Sequence, residues 1–145
     1  IRGEHLPDST DLALAMDAKA AVLRQLRRPA EAVAMHRSAL TIWLKTLGEH
    51  ASPVGGCRHS LAQALHRTGD FFGAREEMAQ ALRITVRNFG SEHVDSWISR
   101  FELGRFEVDT GDMEEGFTRM QSARRAVAQA LGDAHPVVQA MDRWL

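Results

Sequence analysis

The chain has 145 residues, of which 44% are apolar, and its 18 basic and 19 acidic residues give a formal net charge of −1. This length suits one domain with a continuous core, and the charge provides no overall attraction for nucleic acid or an anionic membrane. The absence of a long apolar run predicts no membrane span. A single cysteine, Cys57, excludes an internal disulfide and predicts a reducing, cytoplasmic location. Because the chain starts with Ile1, we interpret it as a fragment of a larger protein.

A dipeptide of one large apolar residue and glycine recurs at a fixed interval of 42 residues, at Leu47-Gly48, Phe89-Gly90 and Leu131-Gly132. A period in this range is typical of stacked repeats, in which each unit buries its apolar face against its neighbours. The interval divides the chain into blocks 5–46, 47–88 and 89–130, followed by a partial repeat or capping helix at 131–145.

Each block is predicted to contain two helices, A and B, joined by a tight turn. Pro29 breaks the first block, while Gly69-Asp70 and Gly111-Asp112 each combine a C-terminal glycine with the cap of the next helix. Ser52-Pro53 is predicted to start the second helix A. The A helices are expected near 9–27, 52–68, 93–110 and 134–145, and the B helices near 29–46, 70–88 and 112–130.

Small residues occupy the same positions of successive blocks, which indicates that helices A and B cross closely there. The three sets are Ala20, Ala62 and Gly104; Ala32, Ala74 and Gly116; and Ala39, Ala81 and Ala123.

These small-residue positions, with Gly-Asp at the turns, resemble tetratricopeptide repeats. The loops that follow Leu47, Phe89 and Leu131 resemble the 42-residue type found in kinesin light chains and many bacterial regulatory proteins. The resemblance covers nearly the whole chain. It implies an all-α, right-handed solenoid of antiparallel helix pairs, with about three repeats and a terminal helix. It also implies that the A helices line a concave groove that binds a peptide or a partner segment.

The chain departs from the family pattern at several positions. Arg27-Arg28-Pro29 stands where the later blocks have Gly-Asp, and Glu107 stands in a position that Leu23 and Leu65 fill. We expect the third block either to pack with a shifted helix A or to face a missing partner. The paired asparagines of kinesin light chains and the carboxylate clamp of chaperone-binding members are absent, so neither activity is carried over.

If the A helices line the groove, their inward residues are predicted to bind the partner. Because this set is richer in arginine and histidine than in acids, we expect an acidic segment, or one of mixed polarity, anchored near Phe101. The alternative is that the arginines are solvated or paired with neighbouring acids. The predicted partner-binding residues are Arg24, Gln25, His59, Gln63, His66, Arg67, Phe101, Arg105 and Asp109.

No signature of an enzyme, a cofactor site or a zinc site is present. His50, His93 and His135 are predicted to bond backbone at the starts of A helices, and Gly55-Gly56 indicates either a late start of the second helix A or a close approach by a partner. The sequence therefore predicts a non-catalytic interaction module, regulatory or scaffolding, that binds neither nucleic acid nor membrane. The alternative function is formation of a homodimer through the terminal repeat, where Trp144 either closes the core or awaits a further repeat.

Overall fold

The structure is a computed structural model that describes residues 9–145. This part of the chain is helical and contains no strand. The seven helices are α1 Ser9–Gln25, α2 Pro29–Leu47, α3 Ser52–Thr68, α4 Phe71–Phe89, α5 Val94–Asp109, α6 Met113–Leu131 and α7 Pro136–Asp142. All predicted helices are present, with ends that differ by a few residues. The prediction for residues 5–8 lies outside the described residues.

The helices form three antiparallel hairpins, α1 with α2, α3 with α4 and α5 with α6, and each hairpin packs on the next through α2 with α3 and α4 with α5. The remaining helix, α7, packs on α6. One apolar cluster runs from α1 to α5, and a second lies between α5, α6 and α7. This is the predicted solenoid of helix pairs, in which each repeat buries apolar surface against its neighbours.

The predicted small-residue contacts bring helices A and B together, and they do so most closely in the third hairpin. A Cβ atom added to Gly104 would lie 2.7 Å from the carbonyl oxygen of Gly116, and one added to Gly116 would lie 2.6 Å from that of Gly104. The first two hairpins have alanine at these positions. Helix A of the third hairpin is therefore in register with helix B, and the expectation of a shifted helix is wrong.

The turn inside each hairpin has the same backbone hydrogen bonds whether or not it contains glycine. The amides of Arg28, Asp70 and Asp112 donate to the residue-23, residue-65 and residue-107 carbonyls at 2.9, 3.0 and 2.9 Å. The left-handed position is Gly69 or Gly111 in two hairpins but Arg27, with φ 61°, in the first. Arg27 thus adopts a conformation that costs a side chain free energy.

Several local predictions need correction. Helix α3 starts at Ser52 with Ala51 as its N-cap, so the expected late start is wrong. Gly55 is needed because a Cβ atom added there would lie 2.9 Å from Ile84 Cγ2. His50 is one residue out of register with the other two histidines and does not cap α3. In contrast, His93 and His135 each accept a hydrogen bond from the backbone N–H two residues later, as predicted.

Candidate functional site

The three A helices contribute side chains to one open cavity of about 580 Å³. Helix α1 provides one basic residue, α3 provides a polar cluster, and α5 provides an acid, a base and an aromatic floor. The start of α4 and the segment after α7 complete the rim. The lining residues are Arg24, Gln63, His66, Arg67, Phe71, Glu102, Arg105, Phe106 and Trp144.

Arg24 and Arg67 are the two cations of this cavity that have no acidic partner among the described residues. Arg24 is half-buried, and its Nη1 donates to the Ser60 carbonyl at 3.4 Å, a long hydrogen bond. Burial, together with the positive charge of Arg67, lowers the pKa of Arg24. The arginines therefore lie close enough to repel each other, and their N–H donors remain available to a ligand.

Arg105 belongs to the same cavity but already has partners. Its Nη1 donates to Glu102 Oε2 at 2.9 Å, and both side chains are less than one-fifth exposed. Its guanidinium also lies 3.8 Å from the centre of the Trp144 ring, a cation–π contact. The predicted alternative was that the groove arginines are solvated or paired with neighbouring acids. Arg105 is paired, whereas Arg24 and Arg67 have no acidic partner among the described residues and Arg67 is exposed to solvent.

His66 joins the second repeat to the third at the edge of the cavity. Its Nε2 lies 2.5 Å from Asp109 Oδ2. The ring stacks on Phe106 with the centroids 4.9 Å apart, and Phe71 lies against it at 5.0 Å. These contacts fix the orientation of the imidazole in the wall of the cavity. Asp109 holds His66 from α5 and is not itself among the lining residues.

The other predicted site residues differ in accessibility. Gln63 lines the cavity, and Gln25 is exposed on α1 without lining it. His59 is partly buried in α3, and burial lowers its pKa; the nearby charge of Glu102 opposes this shift and that of Arg24 adds to it. The imidazole of His59 is therefore neutral near pH 7.

The expectation that Phe101 is an exposed anchor is wrong. Phe101 is 2% exposed and packs with Met120, Val138 and other residues beneath α7. Its position in the repeat is the one that His59 occupies in the second hairpin, and His59 is only partly buried there. Helix periodicity alone could not show that a short terminal helix would bury this ring.

Four cavity residues were not predicted: Phe71, Glu102, Phe106 and Trp144. Phe71 begins helix B, and Trp144 follows α7, which ends at Asp142, before the end of the helix predicted near 134–145. Glu102 and Phe106 flank Arg105 on α5. The Gly-Asp turn before Phe71 is visible in the sequence and could have placed this aromatic side chain at the rim.

A second polar cluster lies in the core between the first two repeats. Asp17 Oδ1 is 2.8 Å from His36 Nδ1, and Asp17 Oδ2 accepts a hydrogen bond from Trp43 Nε1 at 2.8 Å. Cys57 Sγ donates to Asp17 Oδ1 at 3.2 Å. Trp43 is 2% exposed and lies in the core between the repeats. Because a carboxylate only accepts hydrogen bonds, His36 Nδ1 carries a proton.

These Asp, His and Cys side chains could in principle hold a metal ion, since their ligand atoms lie within 4.8 Å of one another. Burial and the nearby Asp17 charge raise the pKa of the Cys57 thiol, which donates to Asp17. One observation argues for hydrogen bonding rather than metal binding. His36 Nε2 is buried without a hydrogen-bond partner among residues 9–145, whereas a metal-bound histidine usually donates its second N–H to an acceptor.

The model of the tetratricopeptide repeat family matches residues 11–85, which is half of the chain. The protein belongs to the tetratricopeptide repeat family. Membership implies a module for protein–protein interaction. Solved structures of similar fold align with 97–98% of this chain, so the fold similarity extends beyond residues 11–85, which the family model matches.

Solved structures with a similar fold include the following three. The nearly identical TPR-like repeats of a Podosopora anserina protein, described as a kinesin light chain, have a TM-score of 0.84 at 24% identity over 97% of this chain. A point-substituted form of those repeats matches at 25% identity with the same TM-score and coverage. BtubC (BKLC) from P. vanneervenii has a TM-score of 0.80 at 18% identity over 98% of this chain.

The chain spans only part of these proteins, 66% of the Podosopora chains and 59% of BtubC. No curated protein matches the sequence. Within residues 9–145, none of the helices combines the length and the apolar composition needed to cross a bilayer.

Proposed function

We propose that the protein binds an acidic segment of a partner protein in the cavity formed by the three A helices. The observation that carries the proposal is the pair of arginines, Arg24 and Arg67, which face one cavity without an acid to neutralise them. A guanidinium group presents several N–H donors in a fixed plane and suits a carboxylate. The partner's acidic side chain would therefore gain charge-assisted hydrogen bonds from two repeats at once.

The remaining walls of the cavity suit a segment of mixed polarity. Gln63 offers an amide, and Phe71 and Trp144 offer aromatic surface, with Trp144 52% exposed. Aromatic side chains in partly enclosed positions are favoured contacts at interfaces. We therefore keep Arg24, Gln63, His66, Arg67, Arg105 and Asp109 in the proposed surface, with Gln25 and His59 at its margin, and remove Phe101.

A peptide library of random sequence, selected on the wild-type chain, tests this proposal. We expect the selected peptides to be enriched in aspartate and glutamate, and we expect the Arg24→Glu/Arg67→Glu variant to lose their binding. Arg125→Glu is the matched control, because Arg125 is an exposed arginine on α6 outside the cavity. Selected peptides without acidic residues, or equal binding by the double variant and the wild type, would contradict the proposal.

Binding without catalysis would fit a regulatory or scaffolding part of a larger protein. We propose a cytoplasmic, bacterial signalling protein as the setting, because the 42-residue repeat resembles the regulatory proteins in which this type is common. Sequencing the gene on either side of the encoded segment tests this setting. A neighbouring kinase, ATPase or DNA-binding domain would support it.

A second candidate function is self-association through the last repeat. The observation that favours it is exposed apolar surface near the end of the chain, where Phe117, Trp144 and Leu145 are 37%, 52% and 49% exposed. Sedimentation over a hundredfold range of concentration tests it. A dimer that Phe117→Ser dissociates would support self-association, and a monomer at every concentration would contradict it.

A further inference from the structure

We infer that the Arg24–Arg67 pair is a site for a phosphate group carried on a side chain of the partner segment. This inference rests on the proposed function, which requires only that the segment be acidic. It adds that the preferred anion carries two negative charges. Three features lead to this conclusion: the charge balance of the cavity, the N–H donors that remain unused, and the position of the two arginines in different repeats.

The charge balance of the cavity favours a dianion. The lining contains three arginines and a single carboxylate, so the arginines exceed the carboxylates by two positive charges. Glu102 neutralises Arg105 at 2.9 Å and has no other hydrogen bond to a described cation. The uncompensated charge is therefore that of Arg24 and Arg67. One carboxylate would neutralise half of it, whereas a phosphorylated side chain carries about −1.5 to −2 at pH 7, which would neutralise almost all of it.

The repulsion between the two arginines strengthens this preference. Each guanidinium raises the electrostatic energy of the other in the free protein, and the partial burial of Arg24 reduces the screening by water. A ligand that contacts both groups relieves the repulsion as it binds. This gain increases with the charge of the ligand, so a dianion benefits more than a monoanion of the same size.

The number of free donors also matches a phosphate group. Arg24 uses one N–H in a hydrogen bond of 3.4 Å, and Arg67 makes none with the described residues. Gln63 lies one turn before Arg67 on α3 and adds an amide that forms no hydrogen bond with the described residues. Three phosphate oxygens can accept from several such donors, whereas a carboxylate has only two oxygens.

The two arginines come from different repeats, which gives the site a structural consequence. Arg24 lies at the end of α1 and Arg67 at the end of α3. An anion held by both would connect the first hairpin to the second through the partner. Loss of either arginine should then remove most of the preference for the dianion.

Titrations of the 145-residue chain, followed by NMR signals of the arginine side chains, test the inference. The probes are three short peptides of otherwise identical sequence, with phosphoserine, glutamate or serine at the centre, and inorganic phosphate. We expect phosphoserine to bind at least about tenfold more tightly than glutamate, and serine to bind least, because hydrogen bonds to charged groups are the strong ones. Arg24→Gln and Arg67→Gln should each abolish this difference, whereas Arg125→Gln should leave it unchanged.

A comparison between pH 5 and pH 7.5 sharpens the test. The second pKa of phosphoserine is about 6, so the peptide loses its second charge at the lower pH. Its affinity should fall toward that of the glutamate peptide, whereas the affinity of sulfate, which remains a dianion, should not fall. Equal loss for both probes would assign the change to the protein rather than to the phosphate and would overturn the inference.

Two further outcomes separate this inference from the proposed function. Equal binding of the phosphoserine and glutamate peptides, both weakened by Arg24→Gln, would overturn the phosphate preference and leave the acidic partner intact. Binding of inorganic phosphate as tight as that of the phosphopeptide would overturn a site for a partner's side chain. If no peptide bound while the library selection also failed, both proposals would be wrong.

Discussion

The first and third hairpins each place an acidic side chain between their helices, partly buried as Asp17 in the first and fully buried as Glu107 in the third, and they satisfy it in different ways. In the first, Asp17 accepts hydrogen bonds from His36, Trp43 and Cys57, which come from α2 and α3 and are almost fully buried. In the third, Glu107 faces Arg119 at 2.6 Å and Arg75 at 3.9 Å, which are about one-third exposed. The donors of the first cluster cannot reach water if the acid is lost, whereas the two arginines can.

The two hairpins also differ in helix spacing and in the turn. Backbone lies against backbone at Gly104 and Gly116, where the first hairpin has alanines. The first turn places Arg27 in the left-handed conformation that Gly111 adopts in the third. In the third hairpin, glycine takes the left-handed turn position, the helices pack closely, and the central acid Glu107 is paired with Arg119. In the first, Arg27 takes the left-handed turn position, and the central acid Asp17 accepts hydrogen bonds from buried side chains.

The largest expected effect comes from removing the acid of the first hairpin. Asp17→Ala leaves the buried N–H groups of Trp43 and His36 without an acceptor, and each such group costs about 1–3 kcal/mol. We expect the free energy of unfolding to fall by about 3 kcal/mol. Urea denaturation followed by circular dichroism measures it, with the exposed Glu76→Ala as the control. A loss below that of the control would show that water replaces the carboxylate.

The same cluster predicts sensitivity to acid. Burial alone would raise the pKa of Asp17, but the hydrogen bonds from His36, Trp43 and Cys57 and the charge of His36 outweigh it, so the pKa is lowered from 3.8. A lowered pKa means that the stabilisation is complete above pH 3.8 and is lost as the pH falls through the pKa of the folded state. Asp17→Asn should therefore lose less stability than the wild type between pH 5 and pH 2.

The next largest effect on the free energy of unfolding is expected at the close contact between Gly104 and Gly116. Gly104→Ala raises helix propensity, but its Cβ would lie 2.7 Å from a carbonyl oxygen that cannot move away without shifting α6. We expect a net loss of about 2 kcal/mol, as is common for overpacked cores. The control is Gly56→Ala in α3, where the added Cβ meets nothing within 4 Å; it should gain about 0.5–1 kcal/mol. Stabilisation by both variants would show that α5 and α6 can accommodate a Cβ atom at residue 104 without loss of stability.

The turn of the first hairpin predicts a substitution that increases stability. Arg27→Gly removes the cost of a left-handed side chain, about 1–2 kcal/mol in a regular helix. The unfolded chain becomes more flexible, which reduces the gain to about 1 kcal/mol. Thermal unfolding should show a higher midpoint for Arg27→Gly and a lower one for Gly111→Ala, which makes the opposite exchange at the equivalent position of the third hairpin. A lower midpoint for Arg27→Gly would indicate that its side chain stabilises the turn.

The smallest effect is expected for Glu107→Leu, which restores the residue type of the first two repeats. Replacement of a buried ionic group by an apolar one of similar volume is often close to neutral. Arg75 keeps Asp112 at 2.6 Å as a partner, and Arg119 can extend into water. We expect a change within about 1 kcal/mol, against a large loss for Asp17→Leu measured in the same way. Equal losses would remove the distinction between the two hairpins.

The fold could be predicted because each local signal repeats. The apolar–glycine spacing, the Gly-Asp turns and the small residues at the crossings each depend on a few neighbouring positions, and all seven helices follow from them. The candidate site was predicted in part. Arg24, Gln63, His66, Arg67 and Arg105 do share one cavity because they lie on the inward face of successive A helices.

Contacts between distant residues were decided only by the tertiary structure. The ring of Phe101 is buried because α7 covers it, Arg105 is paired because Glu102 and Trp144 reach it, and Asp17 meets Cys57 across 40 positions of sequence. The sequence by itself determined where helices start, end and cross, because those preferences act over a few residues. Which charges remained free for a ligand depended on side chains from three helices, and no periodic pattern contains that information.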